Sequence, residues 1–314
     1  MATFYDLAAA NRRKSALLVL LVIGIFAALA TAAGVAFTGG IEGALPYSLF
    51  AFGLGFFVTL GAWFGGDRAV LAASGAKPLD PAAGAEELQL DNITAELSIA
   101  ANIPKPKIYV IDDTALNAFA TGRDPQHASI AVTKGLMAKL DREEMSGVIA
   151  HELSHVAHKD VTVMTIASFS AILAGFMVRS AMWGSMMRDR RDQNTALVFF
   201  AVMIVSVLVY LISYLLINAL SRYRELGADR GAALITGKPS ALATALQKVT
   251  GDMATIPTRD LRQMEPVQAF AFAPAFSKGR GGGGFGLESL LSTHPPLQKR
   301  LEQLARIANE MGQR

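Results

Sequence analysis

Four long apolar blocks interrupt this chain, and between them polar and apolar positions recur with helical or strand periodicity. The first block runs from about Ala16 to Phe37 and the second from about Leu45 to Phe64; neither contains a charged residue. Each holds roughly 20 residues, the length that crosses a hydrocarbon core about 30 Å thick. The first is too long for a secretory signal, and the second comes only a few residues later, so the pair predicts a membrane hairpin. A third block, about Val161 to Trp183, carries Arg179 near one end, where a long side chain can reach the lipid interface. The fourth, about Ala196 to Ile217, is uncharged and rich in Val, Leu and Ile. Four membrane-spanning helices are therefore expected, the third and fourth forming a second hairpin.

The remaining segments predict a soluble α+β unit. Glu86 to Ala101 places Leu90, Ile93 and Leu97 at helical spacing, and Pro104-Lys105-Pro106 ends that helix. Three short strands are expected at Lys107 to Ile111, Asn117 to Thr121 and Ala128 to Thr133, with turns at Asp112-Asp113 and Gly122 to Pro125. A helix opens at Asp141 with Glu143 and Glu144 in its first turn, where acidic side chains suit the helix dipole. Ser221 to Ile235 reads as another helix, and Gly279 to Gly286 as a surface loop. The expected organisation is an N-terminal arm and hairpin over 1–65, a first catalytic part over 66–160, a second hairpin over 161–217 and a second catalytic part over 218–314.

Composition sharpens the picture in three ways. The chain is 52% hydrophobic over 314 residues, with a mean hydropathy of +0.36, too apolar for an ordinary soluble enzyme of that length. It has no cysteine, which excludes disulfides, thiolate metal sites and cysteine nucleophiles, so any metal must bind His, Asp or Glu. The net charge of +3, without a dense basic run, suits an anionic membrane surface and gives no nucleic-acid footprint. Arg12, Arg13 and Lys14 precede the first block, while the next loop offers only Glu42, which predicts a cytoplasmic N-terminus and catalytic part. Arg188, Arg190 and Arg191 in the loop after the third block pull the other way.

His151-Glu152-Leu153-Ser154-His155 carries the chemistry. On a helix, residues four apart share a face, so both imidazoles can reach one zinc ion. Glu152, offset from that pair, can take the proton of an attacking water without itself binding the metal. A catalytic zinc needs a third protein ligand. His158 lies too far along the same helix to complete a compact tetrahedron, and the position six residues after His155 is Val161. A carboxylate from a second helix remains: Glu225, with Asp229 one turn further on the same face, placed to accept the outer N–H of a ligand histidine. Two predicted crossings separate His155 from Glu225, and at 1.5 Å per residue both lie roughly 9–12 Å from one membrane face.

These residues resemble the HtpX-type membrane metallopeptidases, relatives of the CAAX prenyl proteases, over nearly the whole chain. The marks are Asn117 to Gly122, the segment around Gly135 and Leu136, His151 to His155, Ser221 to Asp229, and His294-Pro295-Pro296 with Arg300. The resemblance implies a gluzincin-type α+β protease domain beside four transmembrane helices. It implies one zinc per chain on His151, His155 and Glu225, Glu152 as the catalytic base, and Asp229 supporting a ligand. It also implies that Asn117, Ala118, Phe119 and Ala120 form an edge strand that pairs with an extended substrate. His294 would act on the oxyanion and Arg300 on the substrate. The implied biology is endoproteolysis of misfolded or damaged membrane proteins in the inner membrane, as stress-linked quality control. The other readings are an intramembrane protease, a prenyl-protein peptidase, and a non-catalytic membrane scaffold with structural zinc. Charged residues on both sides of the motif speak against the first, four spans are few for the second's chamber, and Glu152 has no use in the third.

Overall fold

The computed structural model describes residues 41–159, 221–222, 224–253 and 294–312, together with Gly24 and Thr31. The chain divides into two compact units. One comprises Met1–Asn11, Gly65–Thr165 and Asn218–Arg314; the other comprises Arg12–Phe64 and Ile166–Ile217. The apolar blocks expected at 16–37, 161–183 and 196–217 lie outside the described residues, except for Gly24 and Thr31, as does the glycine-rich segment 279–286. The second block falls in α1 (Ile41–Ala73), a helix of 33 residues. Many of its side chains lie outside the description, and among the described residues no helix is long and apolar enough to cross a membrane. Leu45, Leu49, Phe57, Leu60 and Phe64 on α1 are exposed.

The larger unit is built on a four-stranded sheet. After β1 (Lys77–Pro78) come α2 (Ala85–Ala100), β2 (Lys107–Ile111), β3 (Ala118–Thr121) and β4 (Ser129–Thr133). The sheet order is β1-β2-β4-β3. β2 and β4 run parallel, with Lys107 opposite Ser129 and Ile111 opposite Thr133. β3 lies antiparallel to β4, Phe119 facing Ala131, and forms one edge of the sheet. The three strands expected from sequence are present within a residue of their expected bounds. β1 is an addition: two residues, one a proline, that pair with Val110 and Tyr109 and give no alternating pattern to detect.

Thr133 joins the sheet to the next helix. Its backbone N–H donates to the Asn117 carbonyl, and its hydroxyl accepts from the Asn117 N–H, both at 3.0 Å. The same hydroxyl caps the short helix α3 (Lys134–Lys139) by accepting from the Leu136 N–H. This double role locks the entry of β3 against the end of β4.

α4 (Arg142–Ala157) carries the His-Glu-x-x-His motif through the middle of the unit. Its start is set by a capping box: Asp141 accepts from the Glu144 N–H, and the Glu144 carboxylate accepts from the Asp141 N–H. The side chain of Lys248 closes on Glu144 at 2.6 Å. Met145, Ile149, Leu153 and Val156 fall on one face of α4 at helical spacing, and all are buried in the main core beside Leu90, Ile93, Ile130 and Val132. Each such side chain contributes roughly 1.5–3 kcal/mol by leaving water. Asp141→Ala removes the cap and is expected to cost about 1 kcal/mol, visible as a lowered thermal midpoint. An unchanged midpoint would mean that the Lys248–Glu144 pair alone holds the helix start.

Among the described residues, α5 (224–236), α6 (Pro239–Met253) and α7 (Leu297–Glu310) complete the unit. A Cβ on Gly147 of α4 would lie 2.8 Å from the backbone nitrogen of Leu242 in α6. Only glycine permits α4 and α6 to meet this closely.

Candidate metal centre and active site

Helical spacing on α4 sets the two imidazoles edge to face, their ring centroids 4.8 Å apart, with the Nε2 atoms 3.2 Å from one another. α5 brings Glu225 across from them. Its Oε2 is 3.4 Å from His151 Nε2, and its Oε1 is 3.4 Å from His155 Nε2. All three residues are buried, and among the described residues theirs is the group of donors that could hold a metal ion. A tetrahedral zinc with ligand bonds of about 2.0–2.2 Å separates neighbouring donors by about 3.3 Å. The two imidazoles meet that requirement, and each meets it with a different oxygen of Glu225, so the residues present fit a small cation held by two imidazoles and a carboxylate.

Asp229, one turn beyond Glu225 on α5, lies against the outer nitrogen of His151. Its Oδ1 lies 3.0 Å from His151 Nδ1, a carboxylate position that favours the tautomer with the proton on Nδ1 and the Nε2 lone pair toward the shared donor point. Arg300 from α7 grips the same carboxylate: Nε donates to Oδ2 at 2.9 Å and Nη2 donates to Oδ1 at 2.6 Å. Burial opposes ionisation of Asp229, but the Arg300 guanidinium and His151 outweigh it and hold the carboxyl below its ordinary value of 3.8. A carboxyl depressed in this way stabilises the fold above its unfolded value and loses that contribution as pH falls through the folded one.

From sequence, His294 and Arg300 are expected at the substrate. His294 Nδ1 lies 3.1 Å from Glu225 Oε2, the same oxygen that faces His151, so the residue borders the donor set. Arg300 is 2% exposed, and among the described residues its guanidinium meets Asp229 and, at 3.8 Å, Glu225. No local pattern announces the pairing of Arg300 with Asp229, whose members are 71 residues apart. Nor does any pattern single out Gln303, which donates to the Leu226 carbonyl at 2.6 Å and ties α7 to the start of α5.

Burial and neighbouring charge balance differently at the two glutamates. Glu225 is pressed upward by desolvation, yet the neighbouring His294, His151 and His155 hold it well below the usual carboxylate value. Glu152 moves the other way: burial raises it, against the lowering influence of His151, His155 and the Ala120 N–H. A buried carboxyl of raised pKa beside a metal-donor set is a candidate proton acceptor. The Ala120 N–H faces this carboxylate, so β3 runs beside it. Asn117 to Ala120 are buried, and the alternation of an antiparallel ladder turns the peptide groups of Ala118 and Ala120 away from β4.

Comparison with known proteins agrees with the class that this chemistry indicates, a metalloprotease. The chain belongs to peptidase family M48, whose sequence model matches residues 84–308. It is 53% identical over 225 residues to "Protease HtpX homolog 1" of Streptomyces coelicolor, covering 72% of each chain. It is 35% identical to "Protease HtpX homolog" of Thermoanaerobacter pseudethanolicus across 96% of this chain and 97% of that one. The solved structure of S. mikatae Ste24p matches with a TM-score of 0.49 and 18% identity, over 92% of this chain and 62% of that chain.

Proposed function

We propose that this protein is an integral membrane zinc endopeptidase that cleaves misfolded or damaged membrane proteins from the cytoplasmic face of the inner membrane. The observation that carries the catalytic part is the convergence of His151, His155 and Glu225 at tetrahedral spacing, with Glu152 beside them. These three residues would hold one zinc per chain, which when bound supplies a Lewis acid for the scissile carbonyl and its attacking water. Glu152 accepts the water's proton and returns it to the departing amine. Asp229 keeps His151 in its donor tautomer, and Arg300 keeps Asp229 charged. The outward peptide groups of Ala118 and the outward carbonyl of Ala120 receive an extended segment of substrate by strand addition, next to the general base. His294 holds the Glu225 carboxylate in place.

Support for the membrane setting comes from the four apolar blocks and from the exposed side chains of α1. Leu45, Leu49, Phe57, Leu60 and Phe64 fall within an arc of about 120° at helical spacing, an apolar stripe suited to lipid. With four helices in the bilayer, both parts of the catalytic unit emerge on one side, within reach of cytoplasmic loops and tails of membrane proteins.

The test uses the full chain in detergent. One zinc per chain is expected, casein cleavage should stop with a strong zinc chelator, and it should return when zinc is restored. Cleavage that persists after zinc has been stripped would remove the metal from the mechanism. For the membrane part, the protein should resist alkaline extraction from membranes, and release into the soluble fraction would contradict it.

A further inference from the structure

Between the two helices that supply the metal donors there is one contact with no slack. A Cβ built on Gly231 of α5 would fall on Ser154 Oγ of α4 and lie 2.8 Å from Ser154 Cβ. The next atom, His158 Cε1, is at 3.6 Å, an ordinary contact. Ser154 is the residue immediately before His155, and Gly231 stands two residues after Asp229 and six after Glu225. The space for a side chain at this crossing is therefore taken up entirely by Ser154.

We propose that Gly231 is a positioning residue of the metal centre: the missing side chain sets how closely the Glu225 helix approaches the histidine helix. This inference rests on the zinc reading of the site. Rotation of Ser154 about its Cα–Cβ bond moves Oγ aside, at the expense of its 3.3 Å contact with His158 Nδ1. It does not move Ser154 Cβ. α4 cannot retreat either, because Met145, Ile149, Leu153 and Val156 bury its opposite face in the core. A methyl group on Gly231 must therefore push α5 outward by roughly 1 Å to regain a normal separation of about 4 Å. Glu225 and Asp229 travel with that helix. A tetrahedral donor set tolerates only a few tenths of an ångström, so the displacement acts on metal affinity before it acts on anything else.

The experiment measures zinc affinity of the full chain in detergent by competition with a chromophoric chelator, a readout independent of cleavage. Gly231→Ala is expected to weaken zinc binding by about 10–100-fold. The double variant Gly231→Ala with Ser154→Ala keeps the offending Cβ and should remain weak. Gly231→Ala with Ser154→Gly removes it and should return to within about threefold of Ser154→Gly alone, if the crossing acts as the geometry implies. Wild-type affinity in Gly231→Ala, or no recovery with Ser154→Gly, overturns the proposal. Should Gly231→Ala fail to fold, recovery of folded, zinc-binding protein by Ser154→Gly supports the contact, and lack of recovery refutes it. A wild-type chain that binds no zinc sinks the metal reading itself, and this inference with it.

Discussion

Glu152→Gln is expected to leave one zinc on the protein while casein cleavage falls by about 10²–10⁴-fold. The substitution keeps the size of the side chain, but it cannot take a proton. Glu152 is absent from the donor group formed by His151, His155 and Glu225, so the metal should stay. Two measurements on one preparation decide the matter: zinc per chain and rate of cleavage. Retained zinc with retained cleavage would remove Glu152 from the reaction, whereas lost zinc would make it a ligand.

Arg300→Leu is expected to destabilise the protein by about 3–5 kcal/mol, because it strands the buried Asp229 carboxylate without its principal counter-charge. Asp229 is fully buried, and the two short bonds from Arg300 are what offset its desolvation. The damage should reach the metal centre, since a carboxyl that protonates loses its grip on His151 Nδ1. Zinc affinity should fall together with the thermal midpoint. Replacing both residues, Arg300→Leu with Asp229→Asn, removes the stranded charge and should recover much of the midpoint. If the single variant melts like the wild type, Arg300 is not the partner that keeps Asp229 charged.

Much of the fold is legible in the sequence because it rests on local patterns. The acidic first turn after Asp141, the helical spacing of Leu90, Ile93 and Leu97, and the three apolar strand runs are properties of contiguous residues. The ladder order is not legible. That β2 pairs in parallel with β4 while β3 is displaced to the edge depends on which buried faces meet, and no short segment records that choice. β1 leaves no trace because two residues have no period. At the site, the motif spacing marks His151 and His155, and the four-residue step from Glu225 to Asp229 marks the second helix. Arg300 stands out through the family resemblance, but its pairing with Asp229 is not legible, because a sequence does not say which carboxylate a distant guanidinium will meet.

The sequence by itself determined the chemistry available to this protein: zinc-type donors without thiols, a carboxylate beside them, and apolar blocks on either side. Those features come from residue identity and from spacing along one helix, which needs no partner. Only the tertiary structure decided the separation of the donors, the capture of Arg300 by Asp229, and the glycine crossing that lets two helices touch. Each of these depends on packing between segments some 70 residues or more apart in the chain, where the close-packed interior fixes positions to fractions of an ångström.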